Sequence, residues 1–460
     1  MPCPLLKIQG QYRSGHLKGQ PVELLQALDQ FLAENVKGVS VDPQAVLAHV
    51  IRPSSFYGAS SERGTGESTV PFKPGPPPGL EPLYLDVSAF KVALDNALKD
   101  VVAGYVAQLR QSGQILFTNA WQYAKRPQDD SEPWTPDVQM HVASVSKLMT
   151  AMAMMVLFRD NDISPDTQII DYLPDYWVKG PNIEYIVFRN LFNHTSGLSA
   201  NYLVDFQSMK SAIAGGISLD GPGLHLGQYH YQNLNYGLCR ILLAVINGNI
   251  NKNAYFDPLP FPDFPLQPWT DILWDLVTIA AYEAYLQAKV FRPSGVVGAT
   301  LDHPRVCALA YRGPGDKEHG WSSGSLQESC GCDGWHLSVN QLLDVMGEFR
   351  RGGGILTPAA AQAMLDNGFG VDPLSGSSAL PAALPTPAGS LYCKPGDWQK
   401  PTQDPDRQDE QSLAYFLPED MELVVLVNSM VDDQTGSDNY FRCIVTQTYL
   451  ANLTQPPPLL

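Results

Sequence analysis

The chain has 460 residues, of which 44% are apolar and 17% charged, against about 25% charged in an ordinary soluble domain. That composition excludes wholesale disorder and allows a sizeable core, as several domains or one large body with insertions. Thirty Lys and Arg against 47 Asp and Glu leave a net charge of −17, a field that repels nucleic acid and anionic lipid surfaces and excludes both as expected partners.

No run approaches the ~20 apolar residues of a membrane helix, so no membrane span is expected. Met1 to Gly10 lack a basic patch leading into an apolar run and a small-residue cleavage site. This points to the cytoplasm, or to the periplasm or secretion if a leader has been removed. Seven cysteines are sparse and odd in number, as for reduced, buried thiols rather than a disulfide framework. The close pair Cys330-Gly-Cys332 has one intervening residue instead of the roughly two to four of a zinc knuckle, and no second Cys/His pair follows it. Neither a metal nor a cofactor is expected.

In chain order, Val22, Leu24, Leu25, Leu28, Phe31 and Leu32 set a helical period over residues 22 to 50. Arg52 to Pro82, including Lys73-Pro-Gly-Pro-Pro-Pro-Gly79, then reads as a linker or surface wrap. Residues 1–82 are accordingly an appendage whose expected roles are covering the body, self-association into a homo-oligomer, or narrowing a pocket. An amphipathic helix over Asp86 to Val102 precedes strand-like runs at Gly104–Leu109 and Gln114–Trp121 and a polar loop from Arg126 to Pro136. Val142 to Phe158 is apolar nearly all round, the pattern of a helix buried mid-body.

Shorter helices over 164–250, a long helix over about 270–289 and another near 338–350 follow. Strands are expected at 390–394, 413–417 and 423–428, and a last helix at about 438–450. Strands at both ends with helices between predict an α/β (α+β) fold. One antiparallel sheet is formed from both ends of the main body, residues 83–160 and 300–460, around an inserted all-helical lobe at 161–299.

Three motifs carry chemistry. Ser144-Val-Ser-Lys147 puts a hydroxyl and an amine on one helix face, and a desolvated lysine can activate a serine. Ser88-Ala-Phe-Lys91 has the same spacing, but after Lys147 no charge follows until Arg159, so an idle ammonium there is costly. The bland alternative is an N-cap serine with Lys147 snorkelling to solvent. Tyr231-Gln-Asn233 offers a phenol to relay a proton and an amide to orient a lysine or a carbonyl; it also reads as a loop satisfying buried backbone groups. Lys394-Pro-Gly396 ends a strand in which Tyr392 and Lys394 share one face and Cys393 packs on the other. Lys73-Pro-Gly75 repeats that pattern in the linker, so order and placement carry the specificity.

S-x-x-K, Y-x-N and K-x-G in this order resemble the three motifs of the serine β-lactamase and penicillin-binding-protein superfamily. The likeness is to its class C branch with family VIII carboxylesterases. Leu191-Phe-Asn-His-Thr-Ser-Gly-Leu198, Val290 to Thr300, Gly334 to Leu343 and Ala414 to Asn428 resemble its secondary signatures, and the resemblance spans about residues 86–450. It implies that Ser144 is the acylated nucleophile and that Lys147 and Tyr231 share the general-base work. It implies further that Asn233, Lys394 and Gly396 orient and polarise the substrate, and that the backbone N–H groups of Ser144 and Asp397 form an oxyanion hole.

The third motif departs from the lactamase pattern. Pro395 replaces the Thr or Ser whose hydroxyl commonly holds a substrate carboxylate. Asp397 to Glu410 reads as a long acidic loop, which puts the Asp397 assignment in question and disfavours a carboxylate-bearing β-lactam. A carboxylesterase acting on small acyl esters is therefore preferred over a β-lactamase, with a D-amino-acid peptidase or amidase third. From another class, an inactive relative that binds peptides remains. No Gly-x-Ser-x-Gly elbow competes, and His194 falls in a turn.

Overall fold

A computed structural model describes residues 20–43, 46, 83–199, 204–256, 269–373, 383–400, 407–431 and 440–455. In chain order the elements are α1 (Gln20–Asn35), β1 (Tyr84–Leu85), α2 (Val87–Leu98), β2 (Gly104–Gln111) and β3 (Gln114–Lys125). Next come β4 (Glu132–Pro133), β5 (Met140–His141), α3 (Ser146–Asn161), α4 (Phe188–Phe192), α5 (Phe206–Gly215), α6 (Asn233–Ile246) and α7 (Trp269–Leu286). The chain continues with β6 (His336–Leu337), α8 (Val339–Gly347), α9 (Pro358–Asp366), β7 (Leu384–Thr386), β8 (Gly389–Gln399) and β9 (Asp409–Leu417). It closes with β10 (Met421–Val427), α10 (Tyr440–Ala451) and β11 (Leu453–Thr454).

Local chemistry sets several of these boundaries. Asp86 accepts the Ala89 N–H at 2.9 Å to start α2. Ser338 and Gln341 form a reciprocal capping box at α8, and Thr357 caps α9 with Pro358 in its first turn.

The central sheet has seven strands in the order β4-β3-β2-β10-β9-β8-β7, every pair antiparallel. Strands from before and after the helical region thus meet at β2 and β10, as the sequence pattern predicts. Alternation divides the sheet between two cores. Tyr105, Ala107, Leu391, Cys393, Tyr415 and Val425 face α2 and α10, where they meet Phe90, Leu94, Phe441 and Tyr449. Val106, Tyr392, Ala414, Phe416, Val424 and Leu426 face the larger core built on α3, α6 and α7. Helix α3 is buried from Ser146 to Met154 without a break, which is why its sequence shows no polar face.

The structure corrects several expected boundaries. The first helix stops at Asn35, because Val36 leaves it to bridge Ile250 and Lys37 hydrogen-bonds Asn249 through both its N–H and its carbonyl. Leu28, Phe31 and Val46 are buried in the main core, with Phe31 edge-on to Phe256 at 5.2 Å; Arg52 to Pro82 lie outside the described residues. The long helix and the helix near 338–350 each end in a π-turn, at Gln287–Phe291 and Glu348–Gly352.

Strand β8 does not stop at Lys394 but runs to Gln399, and β9 begins at Asp409. Both ends of the supposed acidic loop of 397–410 are therefore paired strand, with Asp397 opposite Gln411 and Trp398 opposite Glu410, while residues 401–406 lie outside the described residues. Pro395 is tolerated because β7 covers only Gly389 to Leu391, so beyond Cys393 this side of β8 is an edge that needs no N–H. Among the described residues no helix is long and apolar enough to cross a membrane.

Candidate active site

The short 3-10 turn Ala143–Val145 leads directly into α3 and carries Ser144. Ala143 sits at φ 45°, a left-handed conformation unfavourable for a residue with a Cβ, and it swings the chain from β5 into the helix. Lys147 follows one turn later with no exposed surface. By contrast, Ser88 and Lys91 of the decoy S-x-x-K both face solvent on α2, and Lys73-Pro-Gly75 lies outside the described residues.

The structure brings the expected residues together. Lys147 Nζ donates to Ser144 Oγ at 2.7 Å, to Asn233 Oδ1 at 2.7 Å and to the Cys332 carbonyl at 3.0 Å. Three acceptors around one nitrogen match an ammonium with three N–H donors. The Tyr231 hydroxyl donates to Ser144 Oγ at 2.9 Å. Burial, and then the nearby Asp372 and Asp333, hold that phenol well above its ordinary pKa, so at neutral pH it is a proton donor. Tyr231 ends the segment that enters α6, and Asn233 is the first residue of that helix, which fixes their relative orientation.

Lys394 lies with its Nζ 5.0 Å from the centre of the Tyr231 ring. Burial lowers its pKa to about 8, against the opposing pull of Asp372. His194, expected in a turn, is buried there at φ 52°. Its ring lies 4.3 Å from that of Tyr231, and burial together with Lys394 and Lys147 keeps it neutral.

Gly396 is required by contact. A Cβ there would meet the Val142 carbonyl and Ser412 Oγ at 2.5 Å and the Ser144 nitrogen at 3.1 Å, so β8 lies against the turn that carries Ser144. Asp397, one residue on, alternates to the opposite face, where its carboxylate accepts from Gln399 at 3.2 Å and pairs with Arg407 at 3.4 Å. The expectation that Asp397 presents an acid beside the third motif is therefore corrected: strand alternation turns its side chain away.

Two site acids are invisible in the motifs. Asp333, buried, accepts the Ser144 hydroxyl at 3.1 Å and lies 3.7 Å from Lys147 Nζ. Asp372, held by its own N–H to the Cys393 carbonyl at 2.9 Å, pairs with Lys394 at 2.5 Å. No local pattern announces either; each reaches the site only because the sheet edge and the turn before β6 converge on Ser144.

Comparison with known proteins agrees with this architecture. Residues 93–258 match the family model described as Beta-lactamase. The putative penicillin-binding protein PbpX of Bacillus subtilis is 22% identical over 228 residues, covering 49% of this chain and 49% of that protein, so the chain spans about half the length of this curated relative. A class C β-lactamase from Rhodobacter sphaeroides superposes with a TM-score of 0.54 at 16% identity, over 79% of this chain and 99% of the other. An octameric penicillin-binding protein homologue from Pyrococcus abyssi gives 0.54 at 14% identity, over 79% and 78%. The fold is that of the β-lactamases and transpeptidases. Through this family match and this fold the chain is similar to the serine β-lactamases and penicillin-binding proteins.

Proposed function

We propose that the protein is a serine hydrolase working through an acyl-enzyme on Ser144, with small neutral acyl esters as its substrates. The observation that supports this reading is the set of contacts on Ser144 Oγ: it accepts from Lys147 and Tyr231 and donates to Asp333. In this reading the hydroxyl proton passes to the Asp333 carboxylate, with the Lys147 ammonium stabilising the charge that develops on Oγ, as Oγ attacks the acyl carbon. Tyr231 gives its phenolic proton to the departing alcohol oxygen and regains one from the network. Water then takes the place of the alcohol, the acid leaves, and Ser144 is restored. Asn233 holds Lys147, Gly396 lets β8 approach, and the backbone N–H groups of Ser144 and Asp397 receive the developing oxyanion.

The preference for a neutral ester over a β-lactam rests on Asp372. Lys394, which the resemblance assigns to orienting and polarising the substrate, already has a carboxylate at 2.5 Å, and Pro395 removes the neighbouring hydroxyl that commonly holds a substrate carboxylate. Asp372 also favours one second reading, an amidase for substrates bearing a free amine, since a substrate ammonium that reaches its carboxylate takes the place of Lys394 as its partner. Paired initial rates on p-nitrophenyl butyrate, nitrocefin and D-alanine p-nitroanilide, with Ser144→Ala as the blank, test all of this. Ester turnover well above the other two, lost in Ser144→Ala, is expected. Dominant nitrocefin turnover overturns the argument from Asp372, and full ester turnover in Ser144→Ala overturns the nucleophile.

A further inference from the structure

A second cluster of chemically capable side chains lies behind the nucleophile turn. His303, Cys307 and His336 bring their imidazole nitrogens and thiol sulfur within 4.8 Å of one another. Cys307 and His336 have no exposed surface, while His303 lies at the exposed outer side. Imidazole and thiolate are the preferred donors for zinc.

His336 supplies the independent sign of a ligand. It is fully buried, yet neither ring nitrogen has a hydrogen-bond partner of acceptable geometry, with the backbone of Thr300 and Gly334 alongside. A neutral imidazole carries one donor and one acceptor, and leaving both idle in a core is unfavourable unless something else uses the lone pair. The neighbouring His141 shows the contrast: its Nε2 accepts the Gly334 N–H at 3.1 Å and its Nδ1 meets Glu410 at 3.3 Å. His303 has Ser322 Oγ at 3.0 Å from Nδ1, which leaves Nε2 for a metal, the outer-shell arrangement usual for ligating histidines.

The backbone holds the three residues in place. Met140 and His141 of β5 pair with Leu337 and His336 of β6, Thr300 bridges to His336, and Gln139 bridges to Cys307. We propose that His303, Cys307 and His336 bind one zinc ion, with a solvent molecule in the fourth position on the side of His303. Binding releases the Cys307 thiol proton to solvent and involves no redox change. With Zn–N near 2.0–2.1 Å and Zn–S near 2.3 Å, tetrahedral ligand atoms sit about 3.3 to 3.6 Å apart. The present spacing therefore closes with about 1 Å of side-chain movement, available at the half-exposed His303. The ion clamps the segment around 300–307 to the strands that deliver Ser144, three residues after His141, and Asp333, three before His336.

The test uses the full chain, stripped with a chelator, dialysed and titrated with Zn²⁺ against a chromophoric competitor, and separately with Co²⁺. Uptake of one Zn²⁺ per chain, a rise in melting temperature and a thiolate-to-cobalt charge-transfer band are expected. His303→Ala and Cys307→Ser are each expected to weaken uptake at least tenfold, while Cys443→Ser does not. His303→Ala, at a half-exposed site, keeps the test valid if Cys307→Ser fails to fold. No stoichiometric uptake by the wild-type chain, undiminished uptake by folded His303→Ala, or loss of binding on replacing Cys330 and Cys332 instead overturns the proposal. None of these readouts depends on hydrolase activity.

Discussion

Gly396→Ala isolates the role of the β8 edge, because it adds one methyl and removes no functional group. The new Cβ would lie 2.5 Å from the Val142 carbonyl and from Ser412 Oγ, and 3.1 Å from the Ser144 nitrogen. Ordinary contact begins at 3.4 Å, so strand and nucleophile turn must separate by about 0.9 Å. The Ser412 hydroxyl can rotate away only by giving up its 2.7 Å bond to the same Val142 carbonyl. Overpacking of this kind destabilises by about 1–3 kcal/mol, and misplacement of a reacting group by about 1 Å lowers turnover about 100-fold. The expected outcome is a modest fall in melting temperature with about a 100-fold loss in kcat on p-nitrophenyl butyrate and slower labelling by a fluorophosphonate. Adding Ser412→Ala relieves only one of the two 2.5 Å contacts and so is expected to restore little. A folded Gly396→Ala protein with wild-type kcat would refute the close approach of β8 to Ser144.

Asp333→Asn, which keeps the shape and removes the charge at 3.1 Å from Ser144 Oγ, is expected to lower kcat/KM for esters about 10- to 100-fold with little change in KM, measured by initial rates. Lys394 gives a pH signature. Its folded pKa, lowered to about 8 from 10.5, means that above pH 8 the unfolded chain binds more protons, so this group's contribution to stability rises with pH between 8 and 10.5. Relative to Lys394→Met, the wild type is expected to gain about 2 kcal/mol between pH 8 and 9.5 in denaturant titrations; a flat difference would refute the buried, depressed amine. Away from the site, Arg240 is fully buried and pairs with Asp275 at 2.6 Å, so Asp275→Ala is expected to destabilise by about 3–5 kcal/mol, read by urea unfolding.

What the sequence revealed and what it hid follow the range of the interactions. Ser144 and Lys147 are three residues apart on one turn, and the charge-free run after Lys147 marked the pair as buried. Tyr231 and Asn233 sit at a helix start, and their residue types limit what they can do. The sheet was legible because β2, β3, β9 and β10 contain short runs rich in apolar, β-branched and aromatic residues. Strand β8 was cut short because Pro395 and Gly396 look like a break, whereas Pro395 lies on an edge that no described strand covers and Gly396 is demanded by the turn across from it. Asp333, Asp372 and the cluster of His303, Cys307 and His336 act through partners far off in the chain, so no window of sequence shows them.

The site reduces to two lysine–aspartate pairs on either side of one serine: Lys147 with Asp333 at 3.7 Å and Lys394 with Asp372 at 2.5 Å. Each pair is largely shielded from water, where an uncompensated ammonium would be unstable. Together they leave the pocket near neutral, although both lysines are present. A substrate carboxylate must displace Asp372 before it can use Lys394, and the displaced acid then lies beside it, a repulsive arrangement that favours uncharged acyl groups. Asp372→Asn removes that competition while leaving Ser144, Lys147 and Tyr231 untouched. The ratio of nitrocefin to ester turnover is therefore expected to rise, about 10-fold for the ~1.4 kcal/mol of an ordinary charged hydrogen bond. An unchanged ratio would mean that substrate choice is set elsewhere in the pocket, and the argument from paired charges would fail.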